Sequence, residues 1–135
     1  MEKSVEALSK YRFETAKEAL EDAKMMFENG RYKNALNRGY YAVFHSIRAV
    51  NALDSFDSSR HSGVIAFFNQ NYVKEGVFDK ELSKTIRLAA ESREKADYLD
   101  FFVASKEEAE KQIERAEEFL KRIEEYLRDR VGLLT

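Results

Sequence analysis

Hydrophobic residues along the first third of the chain recur at the spacing of a helix. From about Leu8 to Glu28, Ala16, Leu20, Ala23 and Phe27 fall three or four apart, with Glu14, Lys17, Glu21 and Lys24 between them. Asn29 and Gly30 tolerate the left-handed backbone of a helix C-terminus, so the pattern predicts a stop there and a restart near Arg31, giving an αα-hairpin. The second helix, about Tyr32 to Leu53, carries the unbroken apolar run Tyr40 to Phe44, then Ile47, Ala49 and Val50. A helix apolar on most sides belongs at the centre of a bundle.

Asp54 to Ser62 is rich in Asp and Ser and reads as the longest surface loop. A short helix is expected from about Gly63 to Val73, with Val64, Ile65, Phe67 and Phe68 apolar and Gly76 marking its end. Asp79 can cap a fourth helix that runs to about Ala96 and places Leu82, Ile86, Ala89 and Ala90 on one face. After the aromatic link Tyr98 to Val103, Ser105 and Glu108 form a capping box opening a last helix, about 105–130. In it Ala109, Ile113, Ala116, Leu120, Ile123 and Leu127 form a stripe suited to antiparallel packing, and Val131 to Thr135 reads as a frayed tail.

Composition agrees with an all-α, five-helix, up-and-down bundle. The 135 residues match the size of one domain, 1–135, and the absence of proline favours long uninterrupted helices. Without cysteine there is no disulfide, thiolate metal site or cysteine nucleophile. Two histidines without supporting spaced carboxylates give no metal site, and no cofactor motif is present. The start MEKSVEALSKYRFE places charges where a signal peptide has its apolar core. No apolar run approaches the ~18 residues of a membrane span, so the expectation is a cytoplasmic protein with no membrane partner. A net charge of −2 gives no global attraction to phosphate, and any nucleic-acid binding must rest on a local basic patch.

The candidate chemistry lies in the second helix. Seven residues separate Arg38 from His45; at about 100° per residue that is nearly two turns, so both face one side with Tyr41 between them. An imidazole moves protons near neutrality, and a guanidinium offers a fixed fork to phosphate oxygens. On RNA the 2′-hydroxyl can attack its own 3′-phosphate, with a neutral His as base and Arg stabilising the developing charge, without a metal. The alternative is that His45 is a core residue with its nitrogens satisfied, Arg38 pairs with an acidic neighbour, and Tyr40 and Tyr41 are plain core aromatics. Arg60 and His61 precede the third helix, whose N-terminus could hold an anion, although a loop histidine is commonly just exposed. Arg93, Asp97 and Tyr98 end the fourth helix. Arg93 and Asp97 are four apart, a pair worth a few tenths of a kcal/mol if exposed and one that organises neighbouring helices if buried.

Three segments in this order resemble the HEPN domain family, in particular its small stand-alone prokaryotic branch. They are Asn37 to His45, His61-Ser62-Gly63 with Phe67, Phe68 and Tyr72 to Lys74, and Arg93 with Ala96, Asp97 and Tyr98. Gly39 stands where that pattern has alanine, which predicts a close approach by a neighbouring helix or partner chain. The resemblance implies a five-helix bundle that forms a homodimer, with an R-x(4–6)-H motif facing a shared cleft; Arg38 and His45 fit it at the longest spacing. It further implies a metal-independent, toxin-type endoribonuclease paired with a nucleotidyltransferase-like antitoxin, with Arg38, His45 and Tyr41 as its catalytic set. Arg38, Arg60, His61 and Arg93 would bind RNA or nucleotide, and Arg93, Asp97 and Tyr98 would form a structural motif. The family also holds non-catalytic dimers that bind a nucleotide or a nucleotidyltransferase-like partner. A plain helical scaffold would require Arg38 and His45 to be fully packed.

Overall fold

A computed structural model describes residues 2–132. The elements are α1 (Lys3–Glu28), α2 (Tyr32–Ala52), α3 (His61–Phe68) followed by a π-helical turn (Asn69–Val73), α4 (Glu81–Tyr98) and α5 (Lys106–Val131). Five helices and no strand among the described residues make the all-α bundle the sequence predicts. No described helix is long and apolar enough to cross a membrane.

Boundaries moved where local chemistry outweighs periodicity. α1 starts at Lys3 because the Glu2 carbonyl accepts from the amides of Val5 and Glu6; the apolar signal begins later only because this first turn is mostly polar. Its buried face is Ser9, Phe13, Ala16, Ala19 and Ala23, with Leu20 and Phe27 at the margin and Leu8 exposed. Gly30, at φ +71°, turns the chain into α2. His61 and Ser62 belong to the first turn of α3 and shorten the loop predicted over 54–62. The Asp79 carboxylate accepts from the Glu81 amide at 2.9 Å, and the Ser105–Glu108 capping box is fully formed. Val131 is helical and Gly132, at φ +64°, ends the helix; the rest of the expected frayed tail, residues 133–135, lies outside the described residues.

Thirteen of the 21 residues of α2 are buried, which makes it the central helix, packed by α1, α3, α4 and α5. Three buried polar side chains tie the layers together. Ser9 Oγ donates to the Ala49 carbonyl at 2.6 Å, and Asn51 Nδ2 donates to the Val64 carbonyl at 3.0 Å. Gln112 Nε2 reaches both Leu36 O at 3.1 Å and Ala89 O at 3.0 Å, joining α5 to α2 and α4. Between Ala35 and Ala52 only Asn37, Arg38, Tyr41, His45 and Arg48 remain half-buried, a single stripe stepped by three and four residues.

The close approach predicted at Gly39 is to α5. A Cβ built there would stand 2.7 Å from Gln112 Cγ, in a side chain already fixed by its two carbonyl partners. Gly39→Ala should therefore destabilise by roughly 1–2 kcal/mol in urea titration, the displaced hydrogen bonds outweighing the ~1 kcal/mol helix-propensity gain. An equally or more stable variant would show that Gln112 can move without loss.

Candidate functional site

The open stripe of α2 aligns Arg38, Tyr41, His45 and Arg48, and Tyr41 is the common contact. The Arg38 guanidinium lies over its ring at 5.3 Å, and the His45 ring is 5.8 Å away. On its other side Tyr41 meets the His61 ring edge-on at 5.7 Å, and its hydroxyl accepts from Arg93 Nη2 at 3.2 Å. Four of the residues singled out in the sequence, from α2, α3 and α4, thus converge on a fifth.

His45 is half-buried and makes no hydrogen bond among the described residues. Its Nδ1 is buried without a partner, whereas Nε2 is not buried. Burial, and then the charges of Arg48, Arg38, His61 and Arg12, lower its pKa to about 4, so it is a neutral imidazole at pH 7. The Arg38 Nε is likewise buried and has no partner among the described residues. Neither residue is fully packed, which removes the condition for a plain scaffold, and Arg38 has no acidic partner among the described residues.

The depressed pKa has a consequence for stability. An unfolded chain takes up the His45 proton near pH 6.5 and the folded one near pH 4, so this contribution is complete above pH 6.5 and is lost as pH falls towards 4. His45→Gln should flatten the fall in denaturation midpoint between pH 7 and pH 4.5. Some slope should remain, because burial and the charges of Arg93 and Arg48 also lower His61. An unchanged slope would mean that His45 is as solvated folded as unfolded.

Arg93 anchors the α4 side. Its Nε donates to Asp97 Oδ2 at 2.9 Å, an oxygen that also accepts from Asn37 Nδ2 at 2.8 Å. Its guanidinium lies over the rings of Tyr40, Tyr41 and Tyr98 at 5.3–5.5 Å. Partial burial works against its charge, but Tyr41, Tyr98, Asp97 and Tyr40 outweigh that and raise its pKa. Arg93, Asp97 and Tyr98 thus link α4 to α2, with much of the guanidinium already engaged.

The α3 side holds His61, stacked on Phe44 at 4.0 Å, with Nδ1 hydrogen-bonded to Tyr40 Oη at 2.9 Å. Burial is the first cause that lifts the Tyr40 phenol to about 12, so it keeps its proton at neutral pH. Phe44, Arg48, Asp57, Ser58, Ser59 and His61 line an open cleft of about 560 Å³. In its wall Asp57 Oδ2 accepts from Arg48 Nη2 at 2.9 Å and Arg12 Nη2 at 3.2 Å, two cations sharing one anion. Arg60 is exposed just beyond Ser59, its amide bonded to Ser58 Oγ, and it is not drawn into the Tyr41 cluster.

Sequence reasoning did not single out Arg48, Asp57 or Arg12, and read Tyr40 only as core. Arg48 was within reach, since it continues the 38–41–45 stripe by three residues. Arg12 and Asp57 come from α1 and the loop, and no periodicity connects them to α2.

The family profile described as the HEPN domain matches residues 9–126. A UPF0332 protein from Thermotoga maritima is 37% identical over 124 residues, covering 92% of this chain and 94% of that protein. Two proteins of Methanocaldococcus jannaschii, each named "Putative toxin", are 39% and 31% identical. The first alignment covers 78% of both chains; the second covers 84% of this chain and 78% of the relative.

Proposed function

The chain belongs to the HEPN domain family, and from that membership we propose that it is a toxin-type endoribonuclease that cleaves RNA through Arg38 and His45 without a metal. The observation that carries this reading is the α2 stripe, where a neutral imidazole with an unburied Nε2 lies between two arginines. His45 Nε2 takes the proton of a ribose 2′-hydroxyl. The 2′-oxygen then attacks the adjacent phosphorus, the bond to the 5′-oxygen breaks as that oxygen takes up a proton, and a 2′,3′-cyclic phosphate and a 5′-hydroxyl result. Arg38 and Arg48 hold the phosphate oxygens as negative charge grows on them. A bound phosphodiester also offsets the cations around His45, bringing its pKa back towards the range in which a base is effective.

Tyr41 positions Arg38 and His45 by contacting both. The names of the two archaeal relatives support the toxin role. We extend the reading to a homodimer in the cytoplasm, held in check by a nucleotidyltransferase-like antitoxin.

The test is incubation of a mixed RNA pool with purified full-length protein in EDTA, comparing wild type, His45→Ala and Arg38→Ala after circular dichroism has shown that all three fold. Wild-type cleavage that both substitutions remove is the expected result. Cleavage that EDTA abolishes and a divalent ion restores would refute the mechanism.

One observation favours a second reading, a non-catalytic dimer that binds a nucleotide or a nucleotidyltransferase-like partner. The Arg38 Nε and the His45 Nδ1 are buried and without a partner among the described residues, out of reach of a polymer strand. Highly pure wild type that leaves RNA intact while binding nucleotide would establish it.

A further inference from the structure

His61 is the second histidine of the chain and the ribonuclease reading gives it no step. Its placement differs from that of a loop histidine exposed to solvent. Its ring stacks on Phe44 and its Nδ1 is held by Tyr40 Oη. Among the described residues Nε2 is neither buried nor hydrogen-bonded, and His61 lines the cleft with Arg48, Asp57, Ser58 and Ser59. His45 is reached through the same two rings: Tyr41 lies 5.8 Å from His45 and 5.7 Å from His61, and Phe44 lies 5.8 Å from one and 4.0 Å from the other. Two imidazoles, each with an unburied Nε2, thus flank one aromatic pair, with Arg48 on the α2 stripe and in the cleft wall.

Resting on the ribonuclease reading, we propose that His61 is the general acid of the same reaction and that Tyr40 is the positioning residue that orients it. His45 removes the 2′-hydroxyl proton as the 2′-oxygen bonds to phosphorus. As the bond from phosphorus to the 5′-oxygen breaks, the His61 imidazolium delivers the Nε2 proton to that oxygen, so the leaving group departs as an alcohol. His45 ends protonated and His61 neutral, and exchange with water resets both.

A phenol suits the orienting role because its oxygen accepts from Nδ1–H both in the imidazolium and in the neutral tautomer left once Nε2 has given up its proton. The ring therefore keeps one orientation in both protonation states. Burial, and then Arg93 from α4 and Arg48 from α2, disfavour the imidazolium in the free protein, and an incoming phosphodiester offsets the two cations. His61 lines the open cleft with its Nδ1 held by Tyr40, whereas His45 stands on the α2 stripe between Arg38 and Arg48, which assigns the acid to His61 and the base to His45.

A general acid becomes dispensable when the leaving group needs no proton. The experiment compares an ordinary RNA with the same RNA bearing sulfur in place of the bridging 5′-oxygen at a mapped cleavage site, since a thiolate leaves unprotonated. His61→Ala and His61→Gln, both checked for folding by thermal melts, should cleave ordinary RNA about 10²–10³-fold more slowly than wild type, yet cleave the sulfur-bridged RNA within about threefold of it. Tyr40→Phe should show a smaller deficit, also confined to ordinary RNA, whereas His45→Ala should remain deficient on both. Wild-type rates for the His61 variants on ordinary RNA, or equal losses on both substrates, would overturn the acid role and leave the base role of His45 standing. A wild type that cleaves neither substrate would overturn the ribonuclease reading itself, and the acid role with it.

Discussion

His45→Ala is expected to lower the single-turnover rate of RNA cleavage by about 10²–10⁴-fold, the range that a positioned base contributes. The loss should fall on the chemical step, because the cations that would hold the phosphate, Arg38 and Arg48, remain on the same face of α2. RNA binding, read separately by anisotropy with an uncleavable 2′-deoxy strand, should change little. The substitution also removes a buried, unpartnered Nδ1 from among several cations, so no collapse of the fold should accompany the loss. A variant cleaving within about threefold of wild type would end the case for His45 as base. A contaminating nuclease is recognised by cleavage that ignores both His45→Ala and Arg38→Ala.

The largest effect on stability is expected at Gln112, remote in sequence from every candidate catalytic residue. Gln112→Ala deletes two buried hydrogen bonds to the carbonyls of Leu36 and Ala89 and removes the acceptor that holds Arg115 Nη1 at 3.0 Å. Lost bonds and the cavity together should cost about 2–4 kcal/mol, and the melting temperature should fall by roughly 10 °C. The same two carbonyls belong to the helices that carry Arg38 and Arg93, so looser packing there should also reduce activity at temperatures well below the melt. A melting temperature within about 2 °C of wild type would mean that α2, α4 and α5 hold their registry by apolar packing alone.

Much of the fold was legible because its signals are local. Every residue of the predicted α5 stripe is buried, the Ser105–Glu108 box is formed, and the apolar run of Tyr40 to Phe44 marks the central helix. The errors have local causes too. Lys3 to Ala7 is helical through backbone bonds that leave little apolar periodicity, and His61 starts α3 although its neighbours have the composition of a loop.

The sequence by itself determined which side chains share a face of α2, because helical geometry fixes Arg38, Tyr41, His45 and Arg48 on one stripe whatever surrounds it. It could not determine how open that stripe is, which rings back it, or what charges it feels. Those follow from packing: α4 lays Arg93 over Tyr41, α3 stacks His61 on Phe44, and Asp57 bridges Arg12 and Arg48. Burial and long-range charge are sums over residues distant in the chain. The pKa of His45, about 4 rather than its ordinary 6.5, is therefore a property of the assembled helices and cannot be read from the motif that contains it.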